Sequence, residues 1–491
     1  MFSFPAQFGP HPAGLQVIEQ YDRSRVYRPR IGTLGLPEEG ERARPIQTLV
    51  WYPAEPSNSA PMRVSDYLDL WATERSFGKP STPSRAEEWR AGMVPTLETE
   101  LRAVRNAPSC TGRFPVIIYV PGHSSPSWEN ADLCEYWASH GYLVIASPSL
   151  GASMGYPTVD LAGIDPQARD ISFLIGFAQT LPNADTSKVA AAGFSWGALC
   201  ALFAAARDDR IRALIALDGG FRFHPGLVAQ AGDVVPAHMR IPLLSVAQGQ
   251  WTPEEKALLL ADSADRDGPD VSNAWVHGDY IAVYLLGFTH AEHSSMSQRN
   301  EDIWKQVFQL FPEKKADYGR DEAVTGYVWL ARYTLEFLNA YLKEDGGGLA
   351  FLKRTPANNG VPRYLLTARF RAAAGPPVSF EAFREELGRI GFEHARELYA
   401  GFGDRESTFY LSESEISAWA TQLIDSGQPS AAAALSQLNV ELHPKSSEAH
   451  MSLAAAYQRL GENERARLSF KKAIEVGPAW AVSRALLELQ K

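Results

Sequence analysis

The pentapeptide Gly193-Phe194-Ser195-Trp196-Gly197 sets a hydroxyl between two glycines, after the apolar run 189–192 and before the helix-forming stretch 198–205. A serine at the tight turn between a strand and a helix is a candidate nucleophile. The turn is strained, and a side chain at either glycine would crowd the strand or the helix. Ser195 Oγ is thereby held out at the end of the sheet. The backbone N–H of Trp196, at the helix start, points where an oxyanion would form. A serine hydroxyl attacks poorly until a base takes its proton, and the base needs an acid to orient it.

In chain order the acid should come next, at the end of a buried strand, and the histidine last. Asp218 directly follows the apolar run 213–217 and precedes Gly219-Gly220. Its alternative reading is a turn aspartate capping a strand end. The next run, 242–246, leads into Gln248-Gly249-Gln250-Trp251 with no carboxylate before Glu254, which favours Asp218. Beyond the run 280–286, the loop Gly287-Phe288-Thr289-His290-Ala291-Glu292-His293 offers two histidines. His290, nearer the strand end, is the preferred base. His293 is read as a supporting or substrate-side group, or as the base if the loop is longer. The second oxyanion donor is expected from the loop Pro121-Gly122-His123. His123 N–H fits, with its imidazole incidental because the contact uses only main chain, and Pro121 has no N–H to offer. Trp128, Phe221, Phe223 and Trp251 either line an apolar acyl pocket or belong to the core.

Positioning these groups requires an ordered sheet. Short apolar runs at 116–120, 142–146, 189–192, 213–217, 242–246 and 280–286 alternate with helical stretches at 129–140, 167–180 and 198–205. That alternation implies a mostly parallel sheet with helices on both faces, whose site collects at the carboxyl ends of the strands. An earlier strand is expected at 45–53. Residues 54–113 read as an insertion with its own apolar content, packed and able to serve as a lid.

The chain has 491 residues, a net charge of −10 and a pI near 5.7, which disfavours nucleic acid or an anionic membrane surface as partner. Three cysteines, Cys110, Cys134 and Cys200, cannot form a disulfide framework, and no spacing suggests a metal or other cofactor site. Neither a leader pattern nor a long apolar window occurs. The expectation is a soluble protein, periplasmic or secreted if a signal preceded this sequence.

Near the C-terminus Trp419, Ala420, Leu423, Gly427, Ala432 and Pro444 recur 34 residues later as Leu453, Ala454, Tyr457, Gly461, Ala466 and Pro478, the pattern of tetratricopeptide repeats. The piece 479–489 would cap the array, which is expected to dock on the preceding domain. The domains are thus read as 1–345, closed by the glycine run 346–348, a helical connector 346–410, and repeats over 411–491.

The succession Pro121-Gly122-His123, Ala138-Ser139-His140-Gly141-Tyr142, Gly193-Phe194-Ser195-Trp196-Gly197, Ala216-Leu217-Asp218 and Gly287-Phe288-Thr289-His290 resembles the platelet-activating-factor acetylhydrolase-like branch of the α/β-hydrolases, with dienelactone-hydrolase-like proteins as neighbours. The resemblance spans about 10–345. It implies an α/β-hydrolase fold and a cofactor-independent esterase, with Ser195 as nucleophile, His290 as base, Asp218 as orienting acid and the N–H groups of His123 and Trp196 holding the oxyanion. That branch usually has His-Gly in the oxyanion loop where this chain has Pro121-Gly122. The alternatives are an inactive hydrolase-fold scaffold that binds partners, or a second copy, through the repeats, and an amidase or peptidase with the same residues.

Overall fold

The computed structural model describes residues 2–32, 34–37, 39–77, 85–249, 271–310, 318–376, 378–405 and 409–477. Contacts divide the chain into two compact units, Met1–Gly375 and Pro376–Lys491.

The first unit is built on a sheet with ten strands among the described residues: β1 (Ala13–Val26), β2 (Ala43–Pro53), β3 (Val104–Arg105), β4 (Phe114–Val120), β5 (Leu143–Ala146), β6 (Ala184–Phe194), β7 (Ile211–Leu217), β8 (Leu243–Gln248), β9 (Tyr280–Leu285) and β10 (Leu366–Arg371). Their order is β10-β9-β8-β7-β6-β4-β5-β2-β1-β3. From β5 to β9 neighbours are parallel, whereas β2 joins β5, and β10 joins β9, antiparallel. The central stretches of the parallel strands are mostly apolar because both faces are covered there. Ile117 and Tyr119 enter one core with the helices Ala131–Ser139 and Arg320–Leu342. Val116, Ile118 and Val120 enter the other with Leu161–Ala178 and Trp196–Arg207. The arrangement is an α/β-hydrolase fold. Strand β5 lies on one side of β4 and β6 on the other, so the chain reverses its direction of winding there. The carboxyl ends of β4 and β6 consequently frame a crevice.

The described part of 54–113 is packed. Tyr67, Leu68, Met93 and Ala103 share the first core, Trp51 donates to Tyr67 Oη (2.9 Å), and Tyr67 donates to buried Glu135 (2.7 Å).

The expected boundary at 346–348 is displaced. Asp345 accepts from the N–H groups of Gly347 and Gly348 and so caps a helix, Gly346–Lys353, that leads to the edge strand β10. A glycine run reads as a break by composition, yet a capping carboxylate satisfies the free N–H groups of a helix start.

The second unit is all-helical among its described residues. Helices Glu413–Asp425 and Pro429–Leu442 are followed, at a 34-residue offset, by Ser447–Arg459 and Asn463–Val476. The repeated positions Ala420 and Ala454, and Ala432 and Ala466, are buried. Gly427 and Gly461 turn the chain at φ 77° and 76°, a left-handed conformation that glycine adopts without strain. The expected cap at 479–489 lies outside the described residues.

Candidate active site

Ser195 follows β6 at φ 54°, ψ −122°, a strained conformation for a residue with a side chain. Neighbouring backbone fixes it there. Ser195 N–H donates to Leu217 O (2.9 Å), and its carbonyl accepts from Gly220 N–H (2.7 Å) and Ala198 N–H (3.1 Å). The flanking glycines are required by close approach. A Cβ at Gly193 would lie 2.4 Å from Ala198 N, and one at Gly197 would lie 2.1 Å from Val120 O. The second approach also presses the elbow against the exit of β4.

His290 begins a short 3₁₀ turn, His290–His293, after β9. The turn is held by Glu292, whose carboxylate accepts from Thr289 N–H. Ser195 Oγ–H donates to His290 Nε2 (2.8 Å), and Nδ1–H donates to Asp218 Oδ2 (2.6 Å). Phe194 stacks on the imidazole at 4.9 Å and Phe223 meets it edge-on at 5.4 Å. Two rings therefore fix its plane while one side of the ring remains open to solvent.

Asp218 is fully buried. Besides His290, it accepts from Arg222 Nη1 (2.7 Å), Gln248 Nε2 (3.1 Å) and Gln248 N–H (3.3 Å). Burial alone would raise its pKa. The His290 hydrogen bond and the positive charge around it outweigh burial and hold the carboxyl well below the usual carboxylate range. His293, itself pushed down to about 4 by burial, is neutral at neutral pH, so Arg222 and the hydrogen bonds keep Asp218 ionised there.

The loop after β4 is organised differently. Gly122 N–H donates to Glu129 Oε2 (2.8 Å), which also accepts from Tyr119 Oη (3.1 Å). Burial pushes Glu129 up to about 7, against hydrogen bonds from Ser125, Gly122 and Tyr119 that pull it down. Gln167 donates to Pro121 O (2.9 Å), and Ser124 adopts φ 57°. Among the described residues the backbone N–H groups of His123 and Trp196 have no acceptor. The His123 imidazole is not incidental: its Nε2 bonds Pro157 O (2.8 Å), and its ring meets the Trp196 indole edge-on at 5.7 Å. The ring ties the 148–158 loop to the turn that carries the backbone donor.

Three expected pocket residues lie elsewhere. Trp128 is buried, stacked on Tyr67 at 5.6 Å. Phe221 is buried beneath Gly219, and His293 is fully buried, with Nδ1 bonded to Thr289 O (3.1 Å). None of them is available to a substrate. Proximity in sequence does not say which face of a turn a side chain takes. Trp251 lies outside the described residues. Three further groups at the site, Arg222, Glu129 and Phe194 as a partner of the imidazole, are not among the residues expected from the sequence. Arg222 carried one usable signal, a position four residues after Asp218 in a helical turn.

These groups come together at the carboxyl ends of β4, β6, β7 and β9 of the α/β-hydrolase fold. The family model described as chlorophyllase matches residues 97–220, from before β4 to the turn after Asp218. No curated protein matches. Among solved structures, a ferulic acid esterase from Streptomyces cinnamoneus is similar, at 17% identity and a TM-score of 0.48, covering 74% of this chain and 98% of that one. Among the described residues no helix is long and apolar enough to cross a membrane.

Proposed function

We propose that the protein hydrolyses carboxylic esters through an acyl-enzyme on Ser195. The observation that carries this reading is the unbroken chain from Ser195 Oγ through His290 to buried Asp218, beginning at a strained elbow. As Oγ attacks the ester carbonyl, His290 Nε2 takes its proton, and ionised Asp218 stabilises the imidazolium through Nδ1–H. The carbonyl oxygen becomes an oxyanion between the N–H groups of His123 and Trp196. His290 then returns the proton to the leaving alcohol, the C–O bond breaks, and water repeats the sequence to release the acid and free Ser195. The chlorophyllase family match, over a stretch holding Ser195, Asp218 and both backbone donors, supports the same reading.

Placement beside the platelet-activating-factor acetylhydrolase-like and dienelactone-hydrolase-like enzymes rests on the sequence motifs. The 34-residue offset of the C-terminal helix pairs supports a tetratricopeptide-type array, which would offer a surface to a protein partner or a second copy. Hydrolysis of p-nitrophenyl acetate, with fluorophosphonate labelling of Ser195, tests the esterase. The expected result is turnover and labelling by the native enzyme and neither by Ser195→Ala. A failure of both in the native protein would favour the inactive scaffold. Equal rates on matched ester and anilide substrates would favour an amidase.

A further inference from the structure

Beside the loop after β4 lies a cavity of about 60 Å³, whose walls include Arg75, Arg85, Tyr156, Ser124, Ser125 and Glu74. Ser124 directly follows His123, so this wall begins one residue, about 4 Å, from the backbone donor. The loop bearing Tyr156 is tied to the same turn by the bond between His123 and Pro157 O. Both guanidiniums lie against the Tyr156 ring, at 5.3 and 5.7 Å from its centroid. They converge from the C-terminal end of one insertion helix and the start of another.

Their charges are not cancelled. Among the described residues neither Arg75 nor Arg85 has a carboxylate within ion-pair distance, and Arg85 spends one N–H on Ser124 O at 3.3 Å. A guanidinium carries five N–H donors in a planar fork, so most remain available. Glu74 accepts from Ser127 N–H (2.9 Å) and Oγ–H (2.5 Å). Burial pushes it up to about 8 despite those bonds and the Arg75 charge, so at neutral pH it is mostly protonated. In a chain of net charge −10, two uncompensated guanidiniums facing one small cavity are a built anion site.

We propose that this cavity binds a carboxylate carried by the ester substrate, so that the enzyme prefers half-esters of dicarboxylic acids, or esters of a carboxylated alcohol, over neutral esters of equal length. The inference rests on the esterase reading of Ser195 and names the substrate class of that site. The volume suits one carboxylate and excludes a long acyl chain. The planar fork of arginine matches the two oxygens of a carboxylate, and placement beside the oxyanion donors lets the anchored group orient the ester.

The test compares kcat/KM for p-nitrophenyl hydrogen glutarate with p-nitrophenyl valerate, and for 4-carboxyphenyl acetate with phenyl acetate. The first pair places the anion on the acyl side and the second on the alcohol side. One of the two anionic esters is expected to exceed its neutral partner about tenfold or more at low ionic strength. That ratio should fall at least tenfold in Arg75→Gln/Arg85→Gln and recover in part in Arg75→Lys/Arg85→Lys. In the native enzyme alone, raising salt to about 0.5 M should erode the ratio without any variant being needed. Neutral esters hydrolysed as fast as both anionic ones, or a ratio indifferent to salt and to the arginines, would overturn the subsite and leave the esterase standing. If no ester is turned over, the esterase reading falls, and calorimetry with glutarate decides the subsite alone. Saturable binding lost in the double glutamine variant supports it, and no binding to the native protein overturns it.

Discussion

Asp218 and Glu129 are both fully buried carboxylates, one on each side of the site, and they are held in opposite ways. Asp218 accepts from His290, Arg222 and Gln248, and this donor set keeps it ionised far below neutral pH. Glu129 meets neutral partners, Gly122 N–H and Tyr119 Oη, and burial leaves it at about 7. The difference fits the mechanism proposed above. There Asp218 stabilises an imidazolium and so needs its charge throughout the working range, and an adjacent arginine supplies the compensation. A carboxyl that holds a loop can do so in either protonation state, because it accepts a hydrogen bond in both.

The sharpest test of this contrast is removal of the proton path itself. Ser195→Ala or His290→Ala should lower kcat on p-nitrophenyl acetate by roughly 10⁴- to 10⁶-fold, while thermal unfolding stays near that of the native protein. Asp218→Asn should cost about 10³- to 10⁴-fold in kcat, since the amide no longer fixes the Nδ1–H tautomer and Arg222 loses its counter-charge. Because the folded pKa of Asp218 is depressed, its ionisation adds stability that is present above the ordinary value of 3.8 and lost as pH falls through the lower folded value. Denaturation midpoints should therefore show no Asp218-dependent slope between about pH 5 and 9. A slope there, absent in Asp218→Asn, would contradict a permanently ionised acid.

His293→Ala should retain more than about a tenth of the native kcat, because its imidazole is buried and bonded to Thr289 O. Its expected consequence is a lower melting temperature from the cavity left behind. A collapse of activity at unchanged stability would make His293 the base instead.

The smallest effect belongs to Glu129→Gln. Folded Glu129 retains its proton between the ordinary 4.5 and about 7, so native stability declines as pH rises through that interval and levels off above it. The glutamine variant lacks this decline. Relative to the native protein, its melting temperature should be higher at pH 8 than at pH 5, with kcat reduced less than about tenfold. An equal difference at both pH values would mean that Glu129 is ionised throughout and that the two carboxylates do not differ.

Much of the fold and part of the site were legible in local pattern. The apolar runs marked the parallel strands because a strand covered on both faces has no polar alternation to hide it. Ser195, Asp218 and His290 stood out because each comes within four residues of the end of such a run, and parallel strands deliver their carboxyl ends to one edge. Strand β10 was missed: its sequence, Leu366–Arg371, is half polar, as an edge strand with one open side can be. Trp128 and Phe221 were ambiguous for the opposite reason, since an aromatic residue in a loop has the same composition whether it points at a substrate or into the core.

By itself, then, the sequence determined the elbow: two glycines that neighbouring backbone cannot replace, a serine between them, and an acid and a base at the ends of later strands. Only the tertiary structure decided which histidine meets Ser195, which charges hold Asp218, and that Glu129 and the His123 ring brace the loop after β4. Strand ends are written in consecutive residues. Compensation of a buried charge also draws on groups such as Gln248, brought in from another strand by packing, and burial itself is a property of the assembled sheet.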